Sequence, residues 1–454
     1  MKASQDGWMR KNEIEEAGFL DGMMQSLSSS GPIINVMALF PLILMIMGRF
    51  SILTILVGGL LGLSTVFSTV FFSKRLRTNG GYFTYTGTVI GKRSGVFVSL
   101  IYIIYAGLSL PAIASMDSFF LKSVFPEEYV EIIMLVTLFI AVILTMAFGS
   151  FRISIRYLVL SSVVEIFFML YIAVSVLSMG VFHSPSAALQ PTSILESLPF
   201  CLLALSGIGS SIFISEQTRK WRRNTHLAIT TGYIILIALM ILLVFALSFY
   251  LPTQIMNEYI DLPISLMNYL GGSSGTVLEF IGLALVLNGS LTLGLGYMNA
   301  LRRAVETATA DRVFGKKVSG SNTDRIVIII LMLVSAGVIV VSMSNESTAY
   351  EIFELISYTM GMLFITVHSF TNVSLMILLK KIRHVVTQIV PLFSMATFIL
   401  IIAEGFALGI DFSIYFIILF SSIVIFSVTF VVIRFGNGSY AQYVNFQIES
   451  LLEE

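Results

Sequence analysis

Charge is scarce in this sequence: 26 Lys+Arg and 26 Asp+Glu make up 11% of 454 residues, against 56% hydrophobic. A soluble protein carries about a quarter charged residues, and so few could not tile a water-exposed surface. The composition therefore excludes a soluble fold, and the mean hydropathy of +0.93 agrees. One cysteine, Cys201, excludes an intrachain disulfide and a cysteine-based metal cluster, and four histidines scattered singly argue against a structural metal site. No polar block is long enough for a separate domain. Residues Met1 to Glu16 are polar and acidic, unlike the basic start of a cleaved signal peptide. The two charge signs cancel, so bulk charge points to no nucleic-acid partner.

What the chain has instead is apolar runs of spanning length. A helix needs about 20 apolar residues to cross the hydrocarbon core, and such windows predict twelve transmembrane helices. They run Leu20 to Met47, Leu53 to Phe72, Phe97 to Phe120, Ile132 to Phe148, Ser154 to Met179, Leu198 to Glu216, Leu227 to Leu251, Gly275 to Ala300, Ile326 to Met343, Tyr350 to Leu379, Gln388 to Leu408 and Phe412 to Ile433. Cytoplasmic loops carry the excess of Lys and Arg. Twelve spans put both termini on one side, and of the 26 basic residues only Arg49 and Lys122 fall elsewhere, leaving 24 on that side. The opposite loops hold Glu127, Glu128, Glu131, Glu258, Asp261 and Glu346. The expectation is a single multi-pass domain of the plasma membrane. Residues 1–19 form a cytoplasmic N-terminus, 20–182 spans one to five, 194–380 spans six to ten, 385–434 spans eleven and twelve, and 435–454 a cytoplasmic tail.

Two spans contain stretches a lipid-facing helix avoids. Span one carries Ser28-Ser29-Ser30-Gly31-Pro32 and span six Ser206-Gly207-Ile208-Gly209-Ser210-Ser211. Proline removes a backbone donor and glycine adds freedom; inside a bilayer the released groups must be satisfied by protein, water or ligand. Small residues also serve close helix packing, but two breaks five helices apart are the sign of an inverted-repeat transporter. An odd repeat of five helices inserts its second copy upside down. Half-helix N-termini and unwound carbonyls then meet near the midplane, an arrangement that suits an amino-acid zwitterion.

Three motifs carry a family resemblance. Asn79-Gly80-Gly81-Tyr82-Phe83-Thr84-Tyr85, with Gly91 and Gly95-Val96-Phe97, is similar to the loop after span two of the amino acid-polyamine-organocation transporter superfamily, written GG-Y-x-Y and then G-F. Phe213-Ile214-Ser215-Glu216-Gln217-Thr218-Arg219-Lys220-Trp221-Arg222-Arg223 through Ala228-Ile229 resembles that superfamily's E-E-x-K-N-P-x-R-x-x-P-x-A-I at the end of span six. Asn299-Ala300, Arg303 and Asp311 resemble its N-A-x-x-R and R-D segment after span eight. The resemblance implies a leucine-transporter type fold: a five-plus-five inverted repeat with two C-terminal helices, and secondary transport of amino acids or related amines. It places substrate at Ser29, Ser30, Gly31, Ser206, Gly207, Ile208 and Gly209. Ser-Ser-Ser-Gly-Pro stands where the family has G-S-G-I-F, and Ile208-Gly209 replaces an aromatic and a glutamate, so an aromatic lid would come from Phe213 or a tyrosine of span three. Trp221 and His226 replace two prolines.

Glu165 lies eleven residues past Ser154, about 16 Å into span five, where a lone charge is expensive. By the resemblance it falls at or near the position where proton-coupled relatives carry a lysine that touches spans one and eight. It is therefore the expected proton carrier, neutral in one state and ionised in the other, with a structural glutamate as the alternative. Sodium coupling is the rival and would draw on Ser290 and Thr292 of span eight, hydroxyls that equally serve as helix-helix contacts. Asn288 and His368 are expected to hydrogen-bond between helices. Asp117 and Glu354, toward the outer ends of spans three and ten, are candidates for an outer gate or a solvated vestibule.

No paired intramembrane aspartates, H-E-x-x-H or Gly-x-Ser-x-Gly elbow is present, so no enzyme is expected, nor any cofactor or metal; a proton or sodium gradient would be the driving force. No phosphate-binding loop suggests an ATP-driven pump, and no repeated pore loop a channel. Exchange of other amines or polyamines, or a transporter-like receptor, stays open. The absence of acidic residues near Ser206 to Ser211, with Leu205 and Ile208 beside them, points to a neutral substrate.

Overall fold

The computed structural model describes residues 17–124, 151–178, 180–185, 189–252, 255, 262–271, 275–311, 313–314, 323–342, 346–381, 386–407 and 410–435. Among them the chain is almost wholly helical and has no β-strand; Ala17 and Thr218 form an isolated bridge. The expected fourth span, the N-terminal segment before Ala17, the tail after Phe435 and the loop acids Glu127, Glu128, Glu131, Glu258 and Asp261 lie outside the described residues.

The first apolar run is broken where its sequence is polar. α1 (Phe19–Ser30) ends at Gly31, whose φ of +56° is left-handed, a conformation that a Cβ makes costly. Pro32 opens α2 (Pro32–Ile34), at a helix position where its missing N–H is no loss. The chain widens into a π-helical stretch, Asn35–Leu39, and returns to α3 (Phe40–Met47). After a turn at Gly48–Phe50 come α4 (Ser51–Ser73), the short α5 (Tyr82–Val89), α6 (Lys92–Val124) and α7 (Phe151–Leu177). α8 (Pro191–Leu205) then tightens into a 3-10 stretch over Ser206–Ile214, the second polar run. There follow α9 (Trp221–Tyr250), α10 (Leu262–Gly271), α11 (Gly275–Ala310), α12 (Thr323–Ser342), α13 (Glu346–Lys381), α14 (Ile389–Ala407) and α15 (Ile410–Phe435).

Nine helical stretches among the described residues are long and apolar enough to cross a membrane. The first of them, Phe19–Ser73, is interrupted at Gly48–Phe50. The chain is an all-α membrane protein. Its layers differ in burial: the apolar window of Pro191–Ile214 is 100% buried, those of Ile389–Ala407 and Ile414–Ile433 only 28%. The sixth apolar run is thus the centre of the bundle, while α14 and α15 turn Phe393, Ile399, Ile425 and Ile433 outward, as lipid-facing helices do. α6 packs along α13, α11 and α12, and α1 against α9, α7 and the Ser206–Ile214 stretch.

Candidate functional site

A small cavity of about 40 Å³ lies beside the break in the first run. Ser30, Ile34, Asn35 and Leu39 line one wall, Ser109, Ala112, Ile113 and Met116 of α6 a second, and Leu203 of α8 with Leu293 and Tyr297 of α11 a third; Phe353, Ser357 and Met360 of α13 complete it. No charged side chain is among them. In this closed form it has room for a few water molecules, and its mostly apolar walls carrying a few polar groups are of the kind ligand pockets show. The π-helical stretch supplies both Asn35 and Leu39, and π-bulges concentrate at functional sites. Asn35 donates its side-chain N–H to the Ala204 carbonyl at 3.0 Å, tying this wall to the end of α8.

The cavity is closed toward the end of the bundle that carries Lys74, Arg75, Lys92, Arg93 and Arg219 to Arg223. Its floor is a chain of hydroxyls: Tyr105 and Tyr297 share a hydrogen bond of 2.5 Å, and Tyr297 and Ser206 one of 2.7 Å. Beneath lies an aromatic layer. Phe213 stacks on Tyr102 at 4.5 Å, and Tyr82 meets Phe213 at 5.9 Å and the His368 ring at 4.9 Å. Below that is a latch between the two loop motifs. Asn79 donates its backbone N–H and side-chain N–H to the Glu216 carboxylate at 3.1 and 3.2 Å, and the Glu216 N–H returns a bond to Asn79 Oδ1 at 3.1 Å. Ser215 and Thr78 exchange bonds in the same way, and Ala17 pairs with the backbone of Gln217 and Arg219.

Glu165 of α7 is buried at the break itself. One carboxylate oxygen accepts from Ser161 Oγ at 2.9 Å, the other lies 3.5 Å from the Ile33 N–H, the second residue of α2. A carboxylate favours that place, where helix N–H groups have no intrahelical acceptor. Ser161 also shares a bond of 2.5 Å with Thr292 and accepts one of 2.5 Å from Asn288, which in turn accepts from Tyr157 at 2.7 Å. Ser28 and Ser162 share a bond of 2.7 Å. Glu165 thus joins the broken run to α7 and α11, with no cation paired to it among the described residues.

The residues expected at the site disperse. Ser30 lines the cavity and Ser206 supports its floor. Ser29 bonds back to Gln25 within α1, where Gly296 of α11 presses against it, and Gly31 supplies the break. Gly207 and Gly209 allow close approach: a Cβ on Gly207 would overlap the Ser29 carbonyl, and one on Gly209 the Tyr82 hydroxyl. Ile208 packs toward Gly232 of α9 and does not line this cavity. Of the hydroxyls considered for sodium, Ser290 donates to Asp117 of α6 at 2.7 Å while Thr292 turns to Ser161 of α7; residues two apart on a helix point to different neighbours. Phe213 sits in the aromatic layer at the basic end. Asp117 is wholly buried and no vestibule residue, and Glu354 stands near Glu196 and Glu351. Asn288 bonds between helices as expected, whereas the His368 ring is held by Tyr82 and Phe364 and its Nδ1 has no hydrogen-bond partner.

Sequence reasoning offered a span-three tyrosine, of which Tyr105 floors the cavity, but missed Asn35, Tyr297 and Ser357, which line it, and Gln25, which donates to the Gly296 carbonyl at 3.0 Å and accepts from Asn299 of the third motif at 3.4 Å. Their signal was polarity inside apolar runs, which marks functional or interhelical positions. No protein-family model matches this chain, and no curated protein matches it.

Proposed function

We propose that this protein is a secondary active transporter that moves small neutral solutes, amino acids first among them, by alternating access and proton-coupled symport. The observation that carries the reading is the uncharged cavity at the broken first run, closed toward the basic end by three successive layers and flanked by the buried Glu165. A through-pore would not be so closed, and a charged substrate would lack a counter-charge in the lining. We read the architecture as twelve spans in a five-plus-five inverted repeat with two further helices, in the plasma membrane with both termini cytoplasmic. The basic end is then cytoplasmic, and the latch and aromatic layers are the inner gate. Ionised Glu165 holds the Ile33 N–H; protonation weakens that hold and frees the start of α2 to move with its cavity-lining neighbours Ile34 and Asn35. Sodium symport draws less support, since Ser290 and Thr292 diverge.

The test is counterflow: proteoliposomes preloaded with each of the twenty amino acids in turn, assayed for uptake of the same labelled compound. Uptake of a subset of neutral amino acids is expected. Uptake of none, or of cationic ones alone, overturns the proposal.

A further inference from the structure

The floor of the cavity has a counterpart at its other end. Along α6, away from the basic end, Tyr105 is followed by the cavity-lining Ser109 and Ile113 and then, one turn on, by Asp117; along α11, Tyr297 is followed by Leu293 and then, about one turn on, by Ser290. Tyr105 bonds Tyr297 at one end of this stretch, and Ser290 donates to Asp117 Oδ1 at 2.7 Å at the other. The two rungs bracket the cavity between α6 and α11, but the second contains an ionisable acid. Asp117 has 0% exposure, and its Oδ2 is buried without any hydrogen-bond partner.

Buried carboxylates are normally satisfied on both oxygens or paired with a cation. Here the hydroxyl of Ser290 is the only group that engages Asp117 among the described residues. Among the described side chains, the elements packed against α6 bring no cation to this end. α13, whose Tyr350 meets Phe119 of α6 at 5.5 Å, brings Glu351 and Glu354 to this end; α11 carries Glu279. α5 and α15 carry tyrosines alone among their described side chains, α12 carries no titratable group there, and Lys122 stands further along α6. A sodium ion would need several oxygens gathered around Oδ2. A proton needs no room.

We propose that Asp117 is a second proton-binding site, holding a proton in the state with the basic end closed and releasing it as α6 and α11 separate and water reaches the rung. The inference rests on the transporter reading: with Glu165 it makes the coupling two protons per solute. The step is binding and release of a proton at a carboxylate oxygen, with Ser290 donating to the other oxygen in both forms.

Infrared difference spectra of the purified full-length protein, titrated from acid to alkaline pH, test the site without any substrate. A protonated-carboxyl C=O band that is lost in Asp117→Asn and shifted in Ser290→Ala is expected; a spectrum unchanged in both variants overturns the proposal. The second arm uses proteoliposomes and labelled L-leucine, with opposing pH and leucine gradients balanced to read the proton-to-solute ratio. Two is expected for the wild type and one for Asp117→Asn. An unchanged ratio, or a requirement for sodium, overturns the proposal. Should the wild type take up no leucine, the ratio is read with an amino acid that passes the counterflow test; uptake of none counts against the transporter reading and leaves the infrared band to decide the site. Should Asp117→Asn fail to fold, the Ser290→Ala band shift decides it.

Discussion

The two polar breaks look alike in sequence and do different work. In the first run, Gly31 takes a left-handed conformation, and the residues after it turn toward a cavity while Glu165 reaches the buried N–H of Ile33 at the start of α2. In the sixth, the glycines let a 3-10 stretch press against its neighbours: Gly207 on the Ser29 backbone, Gly209 on the Tyr82 hydroxyl. One break opens space and the other closes it. The lesson is that Ser/Gly runs inside a span report released backbone, and only the surroundings decide whether ligand or protein takes it up.

Substitutions can pull the two breaks apart. The largest effect is expected at Gly207→Ala, where the added methyl collides with rigid backbone. A loss of about 3 kcal/mol or more, or failure to fold, should show in thermal unfolding in detergent, and near-wild-type stability would contradict the close-packing role. Gly31→Ala is milder, because the side chain meets the flexible Leu293 and the main penalty is the positive φ. About 1–2 kcal/mol is expected from that conformation, with the protein still folded, so the two glycines should separate clearly in melting temperature. Ser206→Ala removes the hydroxyl that joins the sixth run to Tyr297. A cost of about 1 kcal/mol should be accompanied by faster labelling of Tyr105-side positions from the basic end, read with single cysteines in a Cys201→Ser background. Smallest of all should be the effect of Ile208→Val on solute selectivity, since this side chain faces α9; a changed preference among amino acids in counterflow would return Ile208 to the cavity.

Much of the helical organisation was legible because apolar runs and basic loops are long-range averages, insensitive to any one contact. Glu165 was legible for a related reason: a lone acid deep in an apolar run must be satisfied by something, and Ser161 with Ile33 does so. The cavity was not. α6 and α13 are apolar over most of their surface, so no periodicity marks which face carries Ser109 or Ser357 toward it. The direction of Ile208 was not legible either, because the tight 3-10 winding of Ser206–Ile214 rotates successive side chains differently from an α-helix. Counting residues places Asp117 toward the outer end of its span, at a gate or a solvated vestibule, and only the packing of α11 against α6 shows it sealed beside Ser290.

The most direct test of the account is Glu165→Gln in proteoliposomes. The amide keeps the shape and the bonding of Ser161 but takes no proton. Uptake driven by an imposed pH gradient should be lost while counterflow exchange of the same amino acid persists. Undiminished gradient-driven accumulation in the variant would contradict the account.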